Sequence, residues 1–234
     1  AVSPYVENNL FRIDGPNAHI RMIPNGVAEE LFSLGQKRKE QPPPEDIFTF
    51  ASVLEGFGRR KNARTALQAF SIFRRNFPRS RYILFGGDFQ EGGPAHVWAQ
   101  RQNLADGVDF RGYTPQSQFH PFLSEQTDVL LHPALLESHP LAITEAMALG
   151  VPVLAGEASG GVPWTLDHGR AGALTDVRNP RRLAQSMVDL AANPPRRADL
   201  SHAGWERAHR FFREDTMIEA YLEAYQEVLS AHGR

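Results

Sequence analysis

Two glutamates, Glu137 and Glu145, lie eight positions apart on either side of the start of one apolar segment. Glu145 is the only charged residue among the sixteen residues from Pro140 to Ala155. The apolar pattern there predicts a buried helix that leads into a buried strand. A carboxylate in such a segment is costly unless something donates a hydrogen bond to it, so this segment is the first candidate for a ligand site.

The spacing of the two carboxylates limits what they can do together. Eight residues of helix rise about 12 Å, which is too far for an acid and a base that share one bond. The spacing suits an elongated ligand with hydroxyl groups at both ends. Free N–H groups near Leu141, Ala142 and Ile143 would face the middle of that ligand and favour phosphate, which gives the layout of a nucleotide sugar. The alternative is a solvent-facing Glu145 and a Glu137 that only caps the helix.

The elements around this segment alternate between short apolar strands and amphipathic helices. The strands are predicted at residues 47–53, 82–85, 108–111, 128–132 and 151–155. This alternation predicts an α/β fold, a doubly wound parallel sheet with helices on both faces. Ligands of such sheets bind beyond the carboxyl ends of the strands, and Gly87, Gly112 and Glu137 each follow a predicted strand.

The two ends of the chain have different patterns. Val2–Val6 predicts a short piece of strand or turn, and the proline-rich, charged residues 36–46 predict an exposed linker or loop. Residues 1–46 therefore contribute little apolar core. Apolar residues at helical spacing from Ala203 onward predict a helical tail.

The composition excludes several classes of protein. Of the 234 residues, 41% are hydrophobic and 22% are charged, as in a globular protein. A net charge of −2 argues against a nucleic-acid or membrane partner, and no run is long enough to be a transmembrane segment. The chain has no cysteine, so it has no disulfide or thiolate metal site, which fits a reducing compartment.

The segment from Glu137 onward resembles the signature of glycosyltransferase family 4, the retaining enzymes of the GT-B fold. Its Glu-x7-Glu spacing is followed by Ala-Met-Ala-Leu-Gly-Val-Pro-Val. Five further segments are similar to motifs of the family and occur in its order: Ile23–Val27 with Phe32, Arg60–Asn62 with Ala69 and Phe70, Leu84–Asp88, Val108–Tyr113 and Gly160–Pro163. Together they cover residues 20–175, most of the chain.

The resemblance implies a division of the chain into segments, and it implies that donor and acceptor bind to different domains. Residues 1–46 would be an N-terminal remnant and interdomain link, 47–213 a Rossmann-like donor-binding domain, and 214–234 a C-terminal helix that packs on the absent N-terminal domain. The chain would thus be the C-terminal half of a GT-B fold. The acceptor-binding half would lie in the same chain or in a separate polypeptide, and Ala rather than Met at position 1 suggests processing or truncation.

The resemblance also assigns roles to individual residues. Lys61 follows the first strand and would neutralise the leaving diphosphate, with Arg59 or Arg60 substituting for an arginine of the family where Ser52 stands. Glu137 would accept hydrogen bonds from the donor sugar, and it forms the catalytic pair with Lys61. The remaining substrate-binding residues would be Gly87, Arg111 at the base-binding strand end, Ser138, His139, the backbone of Leu141 and Ala142, and Glu145 for the ribose hydroxyls.

Some of these assignments depart from the family's pattern. The family usually has Glu-Gly-Phe-Gly or Glu-Ser-Phe-Gly where this chain has Glu137-Ser138-His139-Pro140. Pro140 has no N–H group, so donation to phosphate would begin at Leu141. His139 would contact the sugar or the phosphate; the alternative is a histidine tolerated at an exposed helix start.

The expected reaction uses no metal ion and no cofactor. The sequence has no Asp-x-Asp motif, and its histidines lack metal-ligand spacing. The donor substrate would be a nucleotide diphosphate sugar, in a cytoplasmic protein whose membrane contact, if any, is peripheral and made through the missing domain. Two alternatives stay open: a non-catalytic nucleotide-sugar-binding or regulatory module, and a UDP-sugar 2-epimerase of similar fold. The sequence does not identify the sugar, the base, the acceptor or the oligomeric state.

Overall fold

The chain folds around one parallel β-sheet. The computed structural model describes residues 1–15, 19–41, 43–44 and 46–232, and within them the sheet has six strands in the order β3-β2-β1-β4-β5-β6. All neighbouring strands are parallel. The strands are β1 (Phe48–Val53), β2 (Ser80–Phe85), β3 (Val108–Gly112), β4 (Val129–His132), β5 (Val153–Gly156) and β6 (Ala173–Thr175). The predicted doubly wound α/β fold is confirmed, although the sequence pattern did not show β6.

Helices cover both faces of the sheet. They are α1 (Pro4–Asp14), α2 (Glu29–Glu40), α3 (Ala63–Arg74), α4 (Pro94–Arg101), α5 (Gln116–Gln126), α6 (Leu141–Ala148), α7 (Val162–Thr165), α8 (Pro180–Ala191), α9 (Pro194–Phe211) and α10 (Glu214–His232). Neighbouring residues of a strand face opposite sides of a sheet. Phe50 and Leu131 accordingly pack with α3, α4 and α8, whereas Ala51 and Leu130 pack with α2, α5 and α6.

The segment before β1 is more helical and more buried than its sequence predicts. Residues 4–14 form α1 rather than a strand or turn, because Ser3 accepts a hydrogen bond from the Val6 N–H and Pro4 occupies the first helical turn. In α2, Leu31 and Phe32 are buried in the main core. The predicted division at residue 46 is therefore not accompanied by separate cores, and it stays a prediction.

Helix α2 contacts both α5 and α6. A Cβ on Gly35 would lie 2.2 Å from the carbonyl oxygen of Ala148, so the two backbones are in direct contact there. Arg38 donates hydrogen bonds to the carbonyls of Ser124 and Thr127 at the end of α5. Burial lowers the pKa of Arg38 to about 10. The predicted loop at 36–46 is wrong for residues 36–40, which belong to α2, while residues 42 and 45 lie outside the described part of the chain.

The C-terminal helix α10 carries an exposed apolar face. Its exposed large hydrophobic residues are Ile218, Tyr221, Leu222, Tyr225, Val228 and Leu229. An exposed apolar surface of this kind is typical of a site that contacts another protein surface. No helix in the described ranges combines the length and the apolar composition needed to cross a bilayer.

Candidate functional site

A cavity of about 380 Å³ opens at the carboxyl edge of the sheet, beside the ends of β1 and β4. Strands β2 and β3 lie on one side of β1, and β4 to β6 lie on the other, so the strand order reverses between β1 and β4. Doubly wound sheets bind their ligands at such points. The cavity is lined by Asn25, Val53, Leu54, Glu55, Lys61, Phe85, Gly86, Tyr113, Thr114, Phe119, His132, Glu137, His139, Pro140, Leu141 and Ala142.

Lys61 reaches this cavity from a single turn of 3-10 helix that follows β1. Asn62 ends that turn in the left-handed conformation, with a φ of 55°. Its side-chain amide donates hydrogen bonds to the carbonyls of Pro133, at 3.0 Å, and Val177, at 2.8 Å. The first bond attaches the Lys61 turn to the loop after β4, which carries Glu137, and the second attaches it to the segment after β6.

Glu137 is surrounded by cationic side chains. Lys61 Nζ donates a hydrogen bond of 2.7 Å to Glu137 Oε1, and Arg60 Nη1 lies 3.7 Å from Oε2. His132 Nε2 lies 3.5 Å from Oε1. Burial alone raises the pKa of the Glu137 carboxyl, but His132 and Lys61 favour its charged form more strongly and lower the pKa to about 2. The group is therefore an acceptor-only carboxylate at neutral pH.

Two glycines fix the backbone of the loop that carries Glu137. The Gly161 N–H donates a hydrogen bond of 2.8 Å to the carbonyl of Glu137. A Cβ on Gly161 would lie 1.9 Å from the Ser138 carbonyl oxygen, and one on Gly160, which has a φ of 66°, would lie 2.4 Å from that of Glu137. The Gly-Gly-Val-Pro segment noted in the sequence thus acts on the site through backbone packing.

The N-terminus of α6 faces the same cavity. Leu141 and Ala142 line it, and within the described residues their N–H groups have no hydrogen-bond partner. The N–H of Ile143 was predicted to be free, but it donates a hydrogen bond to the Pro140 carbonyl at 3.1 Å. No side chain caps the helix start, so its two free N–H groups and the positive end of the helix dipole are available to an anion.

Glu145 lies one helical turn beyond Leu141 and does not line the cavity itself. Its side chain is only 12% exposed, and its Oε2 lies 3.5 Å from Nε2 of His120 on α5. The alternative of a solvent-facing Glu145 is therefore wrong. The predicted contact with ribose hydroxyls is not tested by this geometry and stays a prediction.

His139 is buried at the base of the cavity. Its Nδ1 accepts a hydrogen bond of 3.3 Å from the Asn25 N–H, and its ring contacts those of Trp164 and Phe212. Burial, together with the positive charge of Arg207, lowers the pKa of His139 to about 4. The alternative of a histidine at an exposed helix start is wrong, and contact with a ligand stays a prediction.

Five of the predicted binding residues lie outside the cavity lining: Arg60 and Glu145, described above, and Gly87, Arg111 and Ser138. The Gly87 N–H donates to Glu55 at 3.4 Å, and Arg111 pairs with Asp109 at 2.7 Å. Ser138 is exposed, and its carbonyl accepts a hydrogen bond from Ser3. Ser52 is fully buried and bonds the Tyr82 hydroxyl, so the position compared with the family's arginine does not face the cavity.

The sequence analysis missed several lining residues. His132 is the last residue of β4, and Glu55 lies two residues beyond β1. The rule that ligands bind at strand ends could have identified both. Asn25, by contrast, comes from before β1, and only the folded chain brings it to the cavity. Among the residues whose placement is described, no three His, Asp or Glu side chains lie close enough to share a metal ion.

Residues 35–207 match the family described as glycosyl transferases group 1. The D-inositol 3-phosphate glycosyltransferase of Streptomyces avermitilis is 34% identical over 136 residues, which are 58% of this chain and 29% of that protein. The N-acetyl-alpha-D-glucosaminyl L-malate synthase of Bacillus anthracis is 25% identical over 232 residues, 98% of this chain and 59% of that protein. The chain thus spans between about a third and three fifths of these relatives' lengths.

Solved structures share the fold at lower identity. Sucrose-phosphate synthase from Thermosynechococcus elongatus superimposes with a TM-score of 0.81 at 24% identity, over 99% of this chain and 58% of that one. Anabaena HepE in complex with UDP gives a TM-score of 0.80 at 21% identity, over 97% of this chain and 63% of that one. The same protein has been solved with UDP-glucose.

Proposed function

The chain belongs to the group 1 glycosyl transferases, and we propose that it is the donor-binding domain of a retaining family 4 enzyme, the C-terminal half of a GT-B fold. The whole enzyme would transfer a sugar from a nucleotide diphosphate sugar to an acceptor. One observation carries the proposal: Lys61, Glu137 and the free N–H groups of α6 converge on a single cavity where the strand order reverses.

The diphosphate would bind between Lys61 and the start of α6. The helix terminus carries about half a positive charge, and the N–H groups of Leu141 and Ala142 are free to donate. Lys61 lines the same cavity and supplies a full charge. These groups would stabilise the negative charge that develops on the leaving diphosphate, without a metal ion or a cofactor.

The transferred sugar would lie beside Glu137. Because the carboxylate stays charged, it can accept hydrogen bonds from two sugar hydroxyls. Lys61 and Glu137 are joined by a bond of 2.7 Å, so the residue proposed to bind the diphosphate lies next to the residue proposed to bind the sugar. This adjacency is what cleavage of a bond between sugar and phosphate requires, and it supports the catalytic pairing of these two residues.

The nucleoside would extend along α6 toward Glu145. Residues four apart on a helix share a face, so Glu145 lies on the Leu141 side and one turn farther from the diphosphate. Its two oxygens would accept from the two ribose hydroxyls. The base would then lie near Arg111 and Gly87, with Ser138 and His139 at the sugar end.

The acceptor would bind to a second domain, in the same chain or in a separate polypeptide. The span of this chain relative to its longer relatives supports this, and so does the exposed apolar face of α10. In this arrangement 1–46 is the remnant and link, 47–213 the donor-binding domain, and 214–234 the helix that packs on the other half. The cytoplasmic location and the peripheral membrane contact through that half stay predictions.

Calorimetry on the purified chain tests the proposal. We expect one of UDP, GDP or ADP to bind in the presence of EDTA, and we expect no sugar transfer by this chain alone. Absence of nucleoside diphosphate binding would refute the donor-binding role. EDTA-sensitive transfer by the isolated chain would refute both the division into domains and the metal-free chemistry. Nucleotide binding without transfer after the second domain is supplied would favour the non-catalytic module.

A further inference from the structure

In the described part of the chain, Glu145 has one titratable side chain within 4 Å of its carboxylate, that of His120. The two side chains come from different helices, α5 and α6, and each is 12% exposed. The hydroxyl of Thr144, the adjacent residue, bonds the Leu141 carbonyl and so is not available to the carboxylate. The other residues of α6 are apolar apart from this threonine. Among the described residues, His120 is thus the ion-pair partner that the structure gives the Glu145 carboxylate.

The Nε2 atom of His120 is buried and lacks a hydrogen-bond partner among residues 1–15, 19–41, 43–44 and 46–232. A buried polar atom without a partner is costly, so such atoms need an explanation. At 3.5 Å the nearest acceptor, Glu145 Oε2, is too far for a well-formed bond. A shift of about 0.5 Å would bring the pair to ordinary hydrogen-bond distance.

We propose that His120 is a positioning residue for nucleotide binding, which donates from Nε2 to one oxygen of Glu145 and so orients the carboxylate toward the ribose. This inference rests on the proposed function, in which Glu145 receives the ribose hydroxyls. The histidine would fix the side-chain angles of Glu145 from behind, because its buried Nε2 cannot reach a ligand itself. Ligand hydroxyls would then meet an oriented acceptor rather than a mobile one.

Two substitutions distinguish the contribution of the His120 Nε2 donor from that of the ring. His120→Phe keeps the ring and its edge contact with Phe119 but removes the donor. His120→Gln removes the ring and keeps an N–H donor near the position of Nε2. We expect His120→Phe to weaken binding of the nucleoside diphosphate that wild type binds best about tenfold, the effect of losing a hydrogen bond to a charged group, and His120→Gln to weaken it far less. If packing alone matters, the order of the two variants reverses.

A double-mutant cycle tests whether His120 acts through Glu145. We expect His120→Phe to add no loss of affinity in a Glu145→Leu background, because no acceptor remains at position 145 for His120 to orient. Additive losses would overturn the proposal. His202→Phe is the matched control, since His202 and Glu206 form the same type of pair at 3.2 Å with both side chains 62% exposed. That control should leave affinity unchanged.

Inorganic diphosphate as a second probe separates this inference from the proposed function. We expect His120→Phe to leave diphosphate affinity unchanged, because that part of the ligand would bind Lys61 and the start of α6. Equal weakening of diphosphate and nucleoside diphosphate would show a general disturbance of the site and overturn the positioning role. Failure of wild type to bind any nucleoside diphosphate would instead refute the proposed function.

Discussion

Glu137 and Glu145 have nearly the same exposure but very different surroundings. Their side chains are 11% and 12% exposed. Glu137 has Lys61 at 2.7 Å together with Arg60 and His132, and its pKa falls to about 2. Glu145 has a single histidine 3.5 Å away. The number and charge of the partners, rather than depth of burial, therefore distinguish the two carboxylates.

This difference separates Glu137, which lines the cavity and is held by several partners, from Glu145, which lies beyond the cavity lining and has one loose partner. Around Glu137, glycine contacts fix the backbone and a lysine fixes the side chain before any ligand arrives. Beside each carboxylate a buried histidine Nε2 lacks a hydrogen-bond partner within the described residues, His132 at Glu137 and His120 at Glu145, so the lysine and the glycines distinguish the surroundings of Glu137. Substitutions at the two carboxylates should consequently affect different properties: stability at Glu137 and ligand affinity at Glu145.

The largest expected effect is on stability. Glu137→Ala should lower the free energy of unfolding by about 3 kcal/mol, because it leaves Lys61 and His132 facing each other without the carboxylate. Glu145→Ala should cost less than about 1 kcal/mol, in line with a single loose pair. Urea unfolding at pH 7 measures both. Equal losses would show that the two environments do not differ energetically.

Lowering the pH should remove the contribution of the Glu137 carboxylate to the stability of the wild-type protein. The pKa of Glu137 is about 2 in the folded chain against an ordinary value of 4.5, so the unfolded state binds more protons between these values. Its contribution is fully present above pH 4.5 and is lost as the pH falls toward 2. The loss should be about 2 to 3 kcal/mol, and it should be absent in Glu137→Gln.

His139 contributes a separate loss at higher pH. Its pKa is about 4 when folded against an ordinary 6.5, so its contribution declines as the pH falls through that interval. Unfolding curves of wild type and Glu137→Gln, measured from pH 7 to 2, separate the two. A difference between these proteins that develops above pH 5 would contradict the assignment to Glu137.

Binding should respond most strongly to Lys61. Lys61→Ala should weaken nucleoside diphosphate binding by about 1–3 kcal/mol, the scale of a charged hydrogen bond, and should leave nucleoside binding nearly unchanged. Calorimetry with both ligands makes the comparison. Equal losses for the two ligands would remove Lys61 from the diphosphate site.

The smallest effect is expected at Arg60. Its side chain is 60% exposed, and its nitrogen lies 3.7 Å from Glu137. Arg60→Ala should therefore change stability by less than about 0.5 kcal/mol, as exposed ion pairs do. A loss as large as that of Glu137→Ala, measured in the same urea experiments, would contradict this expectation.

The sequence predicted the sheet well because strand patterns are local. The buried apolar runs gave β1 to β5 within about two residues of the observed ends, but β6 (Ala173–Thr175) is too short to show a pattern. Helix α1 was missed because its start depends on Ser3 capping and on Pro4.

The site was predicted only in part because its partners come from distant positions in the chain. Lys61 and Glu137, which the resemblance predicted as a catalytic pair, do meet at one cavity. The partner of Glu145 could not be predicted, since His120 is brought to it by the packing of α5 beside α6 and not by any sequence spacing. The role of Gly160 and Gly161 also requires coordinates, because it consists of contacts with the backbone of another loop.

Helix α2 contacts both α5 and α6, the two helices that carry His120 and Glu145. Gly35 fixes it against the end of α6, and Arg38 fixes it against the end of α5. The distance between His120 and Glu145 is thus set in part by a helix that contains neither residue. A movement of the chain ahead of α2 that displaces this helix would therefore change the distance between His120 and Glu145.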